Sequence, residues 1–302
     1  MRTRGLLLVF STAIISGFSI FINKFGVSLT NPYVFTFLKN TIVALLLTAA
    51  ILFFKDLKAL KQLGPKQWFL LVLIGLIGGS IPFLLFFKGL AMSGAAQGSF
   101  IQKTMFVYVA AMAMIFLKEK LSKNFLIGAL LLLLGNLLLL KTLKFSFTYG
   151  DLLIFLATLF WAAENVLSKY VLRELTGRTV AWGRMFFGSI FILGYLGLSG
   201  QLSLVENVTF PQIIWISITS MLLLAYVMTW YSGLKYIPVS LATAILLLGS
   251  PITTILTVMA TGKISWQEIL SGALILIGLI LIVSFDYIWK KINVLNAAKD
   301  LS

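Results

Sequence analysis

Residues 88–130 and 232–274 are two copies of one pattern. Gly89-Leu90 falls on Gly233-Leu234, and Gly128-Ala129-Leu130 falls on Gly272-Ala273-Leu274, both at a shift of 144 with no gap. Upstream the shift is 145: Gly5-Leu-Leu-Leu-Val-Phe falls on Gly150-Asp-Leu-Leu-Ile-Phe, Lys24 on Lys169, Lys39 on Arg184 and Gln67 on Gln212. A self-similarity of this period fixes the architecture before any local reading does. It divides the chain into two halves, 1–145 and 146–290, with a short tail at 291–302.

Each half must live in lipid. Sixty per cent of the residues are hydrophobic and only 11% are charged, more apolar side chain than a soluble core of this length could bury. Ten apolar runs, near 5–23, 33–54, 67–91, 96–117, 122–141, 150–170, 179–199, 211–234, 239–260 and 265–286, are each long enough to cross a hydrocarbon core of about 30 Å at 1.5 Å per residue. Backbone groups cannot stay unpaired in lipid, so the runs are predicted as helices. The fold class is thus all-α integral membrane, ten transmembrane helices in two five-helix repeats.

The net charge of +15 would suggest nucleic acid in a soluble protein. Here the basic residues sit between apolar runs and read as an orientation signal. With the N-terminus inside, sixteen of the 24 Lys and Arg fall in inner segments: Arg2, Arg4, Lys55, Lys58, Lys61, Lys66, Lys118, Lys120, Lys123, Lys169, Arg173, Arg178, Lys235, Lys290, Lys291 and Lys299. Four fall outside: Lys24, Lys141, Lys144 and Lys263. This places both termini in the cytoplasm. Trp68, Trp215, Trp266 and Trp289 fall near helix ends, where interface anchors belong. Five is an odd number, so the second half enters from the opposite side. That is the inverted-repeat plan of secondary transporters, which supplies two equivalent packings, one open to each side.

There is no Cys and no His. This removes disulfides, thiol nucleophiles, imidazole bases and nearly all transition-metal sites, and no cofactor is expected. An intramembrane enzyme would need paired acids or a nucleophile–base couple, and Glu164 is the lone acid well inside a span. A scaffold or receptor role is opposed by the polar helix faces described next.

Five charged residues lie inside the spans: Lys39, Lys88, Lys103, Glu164 and Arg184. Each is costly in lipid and calls for a cavity or a partner. Lys88 lies near a helix end and can snorkel. Lys39 and Arg184, being repeat counterparts, read as gating residues or structural charges. Glu164 reads either as an ion-pair partner of Arg184 or as a proton-coupling carboxylate. Lys103 is the leading candidate for a substrate seat. Ser99, Lys103 and Phe106 share a helix face, and with Gln102 they offer a carboxylate a positive charge, an amide and a ring. The alternative is a lysine reaching outer headgroups.

Ser16, Ser19 and Asn23 share a face of the first helix, and their counterparts on the sixth are Trp161, Glu164 and Ser168, beside Asn165. Both faces read as lining a central path, against simple hydroxyl packing between helices. Tyr226, Trp230 and Tyr231 offer either an aromatic wall or an interface belt. Pro251 removes a hydrogen bond and frees a carbonyl near residue 247, and Gly78-Gly79-Ser80-Ile-Pro82 marks a second helix break. Gly128 and Gly135 share a face of the fifth helix that suits close packing, including packing between the subunits of a homodimer.

The pattern resembles the EamA family of the drug/metabolite transporter superfamily over nearly the whole chain. The residues that carry it are Trp161-Ala162 with Lys169, echoed by Gly17 and Lys24; the basic Lys39 and Arg184; Gly89-Leu-Ala-Met-Ser-Gly-Ala-Ala and Gly233-Leu-Lys-Tyr-Ile-Pro-Val-Ser; Pro251; and Leu117-Lys-Glu119 followed by Gly128-Ala-Leu. Departures are Ser16 where the family has Trp, Lys118 where it has Gly, Lys263 where it has the acid, and a missing Pro in the first copy. The resemblance implies a ten-helix basket in which helices 1, 3, 4, 6, 8 and 9 line a central cavity and 5 and 10 are peripheral. It also implies a multi-pass inner-membrane transporter of small metabolites, with the lipid bilayer and a small-molecule substrate as its partners. Expected cargo is an amino acid or related carboxylate, moved outward. The alternative is efflux of lipophilic cations with Glu164 as the anionic site.

Overall fold

The structure is a computed structural model. It describes residues 1–54, 57–142, 147–262 and 265–299, with side chains described for these apart from 58, 59, 139–142 and 284–299. Lys55, Lys144 and Lys263 therefore lie outside the described residues, as do the side chains of Lys58, Lys141, Trp289, Lys290, Lys291 and Lys299.

Ten long helices follow one another: α1 (Arg2–Leu29), α2 (Pro32–Phe53), α3 (Pro65–Met92), α4 (Ala95–Leu117), α5 (Lys123–Thr142), α6 (Tyr149–Val171), α7 (Gly177–Leu198), α8 (Phe210–Leu234), α9 (Val239–Thr261) and α10 (Trp266–Lys299). Among the described residues nine are long and apolar enough to cross a membrane, and α5 is a shorter apolar helix. The last helix runs beyond the predicted span end at 286, through Lys299. Local chemistry sets several starts. Asn31 caps α2 through its side chain, with Pro32 at the first helical position, and Thr148 and Asp151 form a reciprocal capping box on α6.

Helix contacts show the inversion directly. The start of α1 meets the end of α8: a Cβ on Gly5 would lie 2.8 Å from Tyr236 Cβ and 3.1 Å from the Gly233 carbonyl oxygen. The start of α6 meets the end of α3 in the same way, a Cβ on Gly150 lying 2.8 Å from Met92 Cβ and 3.1 Å from the Gly89 carbonyl oxygen. These four glycines are repeat counterparts, Gly5 of Gly150 and Gly89 of Gly233, and at these crossings no side chain fits between the backbones. At its other end α1 reaches the turn after α3, where Lys24 bonds, so α1 ends where α6 begins. The two helices run antiparallel, and the halves are swapped: α1 packs on α8 and α9, α6 on α3 and α4.

Three spans are broken. α3 carries a π-helical turn at Gly75–Ser80 just before Pro82. α9 narrows to a 3-10 turn at Leu246–Leu248 just before Pro251. α4 is interrupted at Thr104 (ψ −14°) between Lys103 and Met105. Thr104 is the repeat counterpart of Leu248, so the fourth helix of each half breaks at the same place although only one copy has proline.

α5 and α10 pack on each other. A Cβ on Gly128 would meet the Gly278 carbonyl at 2.7 Å, and one on Gly135 would meet the Ser271 carbonyl at 3.0 Å. This corrects the reading of that glycine face as one offered to a second subunit: α10 of the same chain occupies it.

Candidate functional site

A cavity of about 60 Å³ lies where the halves meet. One wall is the polar face of α1: Ser16, Ser19, Ile20 and Asn23. α6 contributes Trp161 and Asn165, α4 Gln102 and Met105, and α8 Leu223 and Tyr226. α3 contributes three rings, Phe83, Phe86 and Phe87. The basic counterparts Lys39 and Arg184 complete it.

The break in α3 is what organises the Arg184 side. Pro82 has no N–H to give the carbonyl four residues back, Gly78. That oxygen instead accepts from Trp161 Nε1 at 3.0 Å and Arg184 Nε at 3.1 Å. The neighbouring Gly79 oxygen accepts from Asn40 Nδ2 at 2.9 Å. Helix-breaking residues in a membrane are tolerated when side chains satisfy the freed groups in this way, and π turns recur at functional sites.

Arg184 also donates to Tyr231 Oη at 2.9 Å and lies 3.8 Å from Glu164 Oε2. Tyr231 Oη donates to Glu164 Oε1 at 2.6 Å, and Ser168 Oγ donates to the same oxygen at 2.5 Å. Glu164 is thus an ion-pair partner within a buried network behind the cavity wall, and is absent from the lining.

Lys39 is placed differently. It is 1% exposed. Its ammonium donates to Asn23 Oδ1 at 2.7 Å and lies 4.4 Å from the centre of the Phe87 ring and 5.6 Å from that of Phe35. No carboxylate accompanies it among the described residues. Asn23 in turn donates to the Ser19 carbonyl and hydroxyl.

The sequence placed the seat at Lys103, and the structure puts that side chain elsewhere. Lys103 donates to Ser16 Oγ at 2.6 Å, and its Cε would lie 2.9 Å from a Cβ on Gly249, at the break in α9. It ties α1, α4 and α9 together and is not part of the cavity wall. Phe106 is buried beyond the Thr104 break and also does not line the cavity. Trp230 and Tyr231 are wholly buried, which removes the interface-belt reading for them. Trp230 stands behind the wall, donating to Asn165 Oδ1 at 2.9 Å and stacked on Tyr226. Gln102 Oε1 is a buried acceptor with no partner.

The three phenylalanines were missed. Their signal was there: Phe83, Phe86 and Phe87 follow Pro82 at helical spacing, and Phe87 is the repeat counterpart of Tyr231. Glu119 was read only as part of a motif. It caps the start of α9, accepting from the Val239 and Ser240 amides at 2.8 and 3.2 Å and from Ser240 Oγ.

Comparison with known proteins bears on the fold and the family. The chain is similar to an uncharacterized transporter, YyaM, of Bacillus subtilis (strain 168), 23% identical over 280 residues that cover 87% of this chain and 90% of that protein. A solved crystal structure superposes with a TM-score of 0.76 at 20% identity, covering 94% of this chain and 99% of the other, which shows the fold. The model of the EamA-like transporter family matches twice, over residues 3–141 and 148–284. With both halves matched, the chain belongs to the EamA-like transporter family and is a multi-pass, small-molecule transporter of the membrane.

Proposed function

We propose that the protein exports a small amphiphilic metabolite, an amino acid or related carboxylate, across the inner membrane by alternating access, with both termini in the cytoplasm. The observation that carries this reading is the charge of the cavity. Two basic side chains reach it, Lys39 and Arg184, and among the described residues only Arg184 is matched by an acid. A site with one unmatched positive charge favours an anionic group. The aromatic and aliphatic wall suits an apolar body, and the unpartnered Gln102 Oε1 can accept from an amine. The orientation rests on the Lys and Arg distribution. Cation efflux would need the Glu164 carboxylate at the cavity, and it stands behind the wall, 3.8 Å from Arg184, with Oε1 accepting from Tyr231 and Ser168.

The test is efflux from proteoliposomes loaded with a mixed pool of amino acids, monocarboxylates and organic amines. Carboxylate-bearing solutes should leave, and amines lacking a carboxylate should stay. Loss of amines alone, stopped by Glu164→Gln, would reverse the assignment.

A further inference from the structure

Repeat symmetry shows what is missing beside Lys39. The shifts of 144 and 145 pair Lys39 with Arg184, Ser19 with Glu164, Asn23 with Ser168 and Phe87 with Tyr231. In the second half these four positions make a buried network: a guanidinium 3.8 Å from the carboxylate's Oε2, which accepts no hydrogen bond, and two hydroxyls that donate to its Oε1. In the first half the same four positions hold an ammonium, an amide, a hydroxyl and a ring, with no acid among them.

The difference in chemistry is matched by a difference in space. All four first-half positions line the cavity, whereas of the second-half four only Arg184 does. In the second half Glu164 fills the position beside the basic residue. In the first half the shorter Ser19 holds that position and lines the cavity with Lys39, whose ammonium makes a single hydrogen bond to a neutral amide. A buried charge is costly unless paired, and here the cavity is where the pair would stand.

We propose that Lys39 seats the substrate's carboxylate, which stands in the first half where Glu164 stands in the second. This rests on reading the cavity as the transport site. Lys39 is then a binding residue that selects carboxylates, and Ser19 is the position that keeps its place vacant for cargo. The Phe87 and Phe35 rings lie 4.4 and 5.6 Å from the ammonium and attract its charge.

Two variants of the full chain test it, with binding read as ligand-induced thermal stabilisation in detergent. The probes are C3–C6 monocarboxylates, the 2-amino acids of the same skeletons, and the matching amides and alkylamines. Carboxylate-bearing probes should stabilise the wild type and amides should not. Lys39→Met should raise the concentration for half-maximal stabilisation by about thirtyfold or more. Ser19→Glu should supply the missing acid from within: the ligand-free protein should unfold at a higher temperature than Ser19→Gln, and the response to carboxylates should be lost. Retention of the carboxylate response in Lys39→Met or in Ser19→Glu overturns the seat, as does stabilisation of the wild type by amines or amides alone, or by no carboxylate. Counterflow in proteoliposomes separates the two readings. If Lys39→Met exchanges carboxylates as the wild type does, the seat falls and transport stands. If the wild type binds carboxylates through Lys39 and exchanges none, the seat stands and the transport reading falls.

Discussion

Lys24 and Lys169 are repeat counterparts that make the same contact at opposite ends of the bundle. Lys24 Nζ donates to the carbonyls of Leu90, Ala91 and Ser93 at 2.9, 3.1 and 2.6 Å. Lys169 Nζ donates to those of Leu234, Lys235 and Ile237 at 2.7, 3.3 and 2.7 Å. These are the orphan carbonyls at the ends of α3 and α8, where a cation also meets the negative end of the helix dipole. Each staple joins the first helix of a half to the third helix of the same half, so each half is tied as a unit.

Replacing either lysine by Met strips a charged donor from three carbonyls. Charged hydrogen bonds are worth about 1.5–3 kcal/mol, and water at the bundle end recovers part of that. Lys24→Met and Lys169→Met should each destabilise by about 2 kcal/mol, seen as a lower unfolding temperature in detergent. The two sites share no partner, so the double variant should show the sum of the single effects.

This staple was half legible in the sequence. The pairing of Lys24 with Lys169, the alignment of Gly5 with Gly150 and of Gly89 with Gly233, and the ten spans all follow from periods and shifts that need no geometry; that helices cross at those glycines does not. The Glu164–Arg184 pair was one of two readings, chosen by the fold because α3 supplies Gly78 between them. Lys103 stands off the cavity wall for a physical reason. The i, i+4, i+7 face of residues 99, 103 and 106 assumes one continuous helix, and α4 breaks at Thr104. Without proline in that copy, nothing local announced the break; its counterpart in α9 did. The cavity beside Lys39, on which its proposed role rests, has no signal in the sequence, because it depends on how the two halves pack.

The Arg184–Glu164 network predicts a strongly non-additive pair. Glu164→Leu leaves a buried guanidinium with only Tyr231 and the Gly78 carbonyl, and should cost about 3 kcal/mol or more. Arg184→Met leaves the carboxylate without its cation and should cost a similar amount. With both changed no charge is left behind, so the double variant should be clearly more stable than the sum of the singles. A double-mutant cycle on thermal unfolding reads the coupling directly. Additive losses would mean that Tyr231 and Ser168, not the ion pair, hold this corner.

The crossing of α3 and α7 predicts where alanine is not tolerated. A Cβ on Gly188 would lie 2.5 Å from the Gly79 carbonyl oxygen and 2.7 Å from Gly79 Cα. Both are backbone atoms, so the helices themselves must part. Gly194 lies on the same helix with nothing within 4 Å of its Cβ position. Gly188→Ala should destabilise by about 1–3 kcal/mol, and Gly194→Ala should stabilise by about 0.5–1 kcal/mol, the gain in helix propensity alone. The pair of measurements separates a packing effect from helix propensity, which is the same for both.

The departure of Lys118 from the family's glycine has a conformational counterpart that can be reversed. Lys118 closes α4 with φ 55° and ψ 34°, and Gly262, at the same place in the other half, closes α9 with φ 71° and ψ 12°. Both are left-handed, a region that costs a side-chain-bearing residue about 1–2 kcal/mol and costs glycine nothing. Glycine in turn makes the unfolded chain more flexible, which offsets about 0.4–1 kcal/mol. Lys118→Gly should therefore stabilise modestly, by about 0.5–1 kcal/mol, and Gly262→Ala should destabilise by a similar amount. The cap that Glu119 places on α9 adds a check on the local geometry. Lys118→Gly keeps the turn that presents Glu119 to the Val239 and Ser240 amides. Adding Glu119→Gln should then lower the unfolding temperature by the same amount in the Lys118→Gly background as in the wild type. A larger loss in one background would show that the left-handed turn and the cap are energetically one unit.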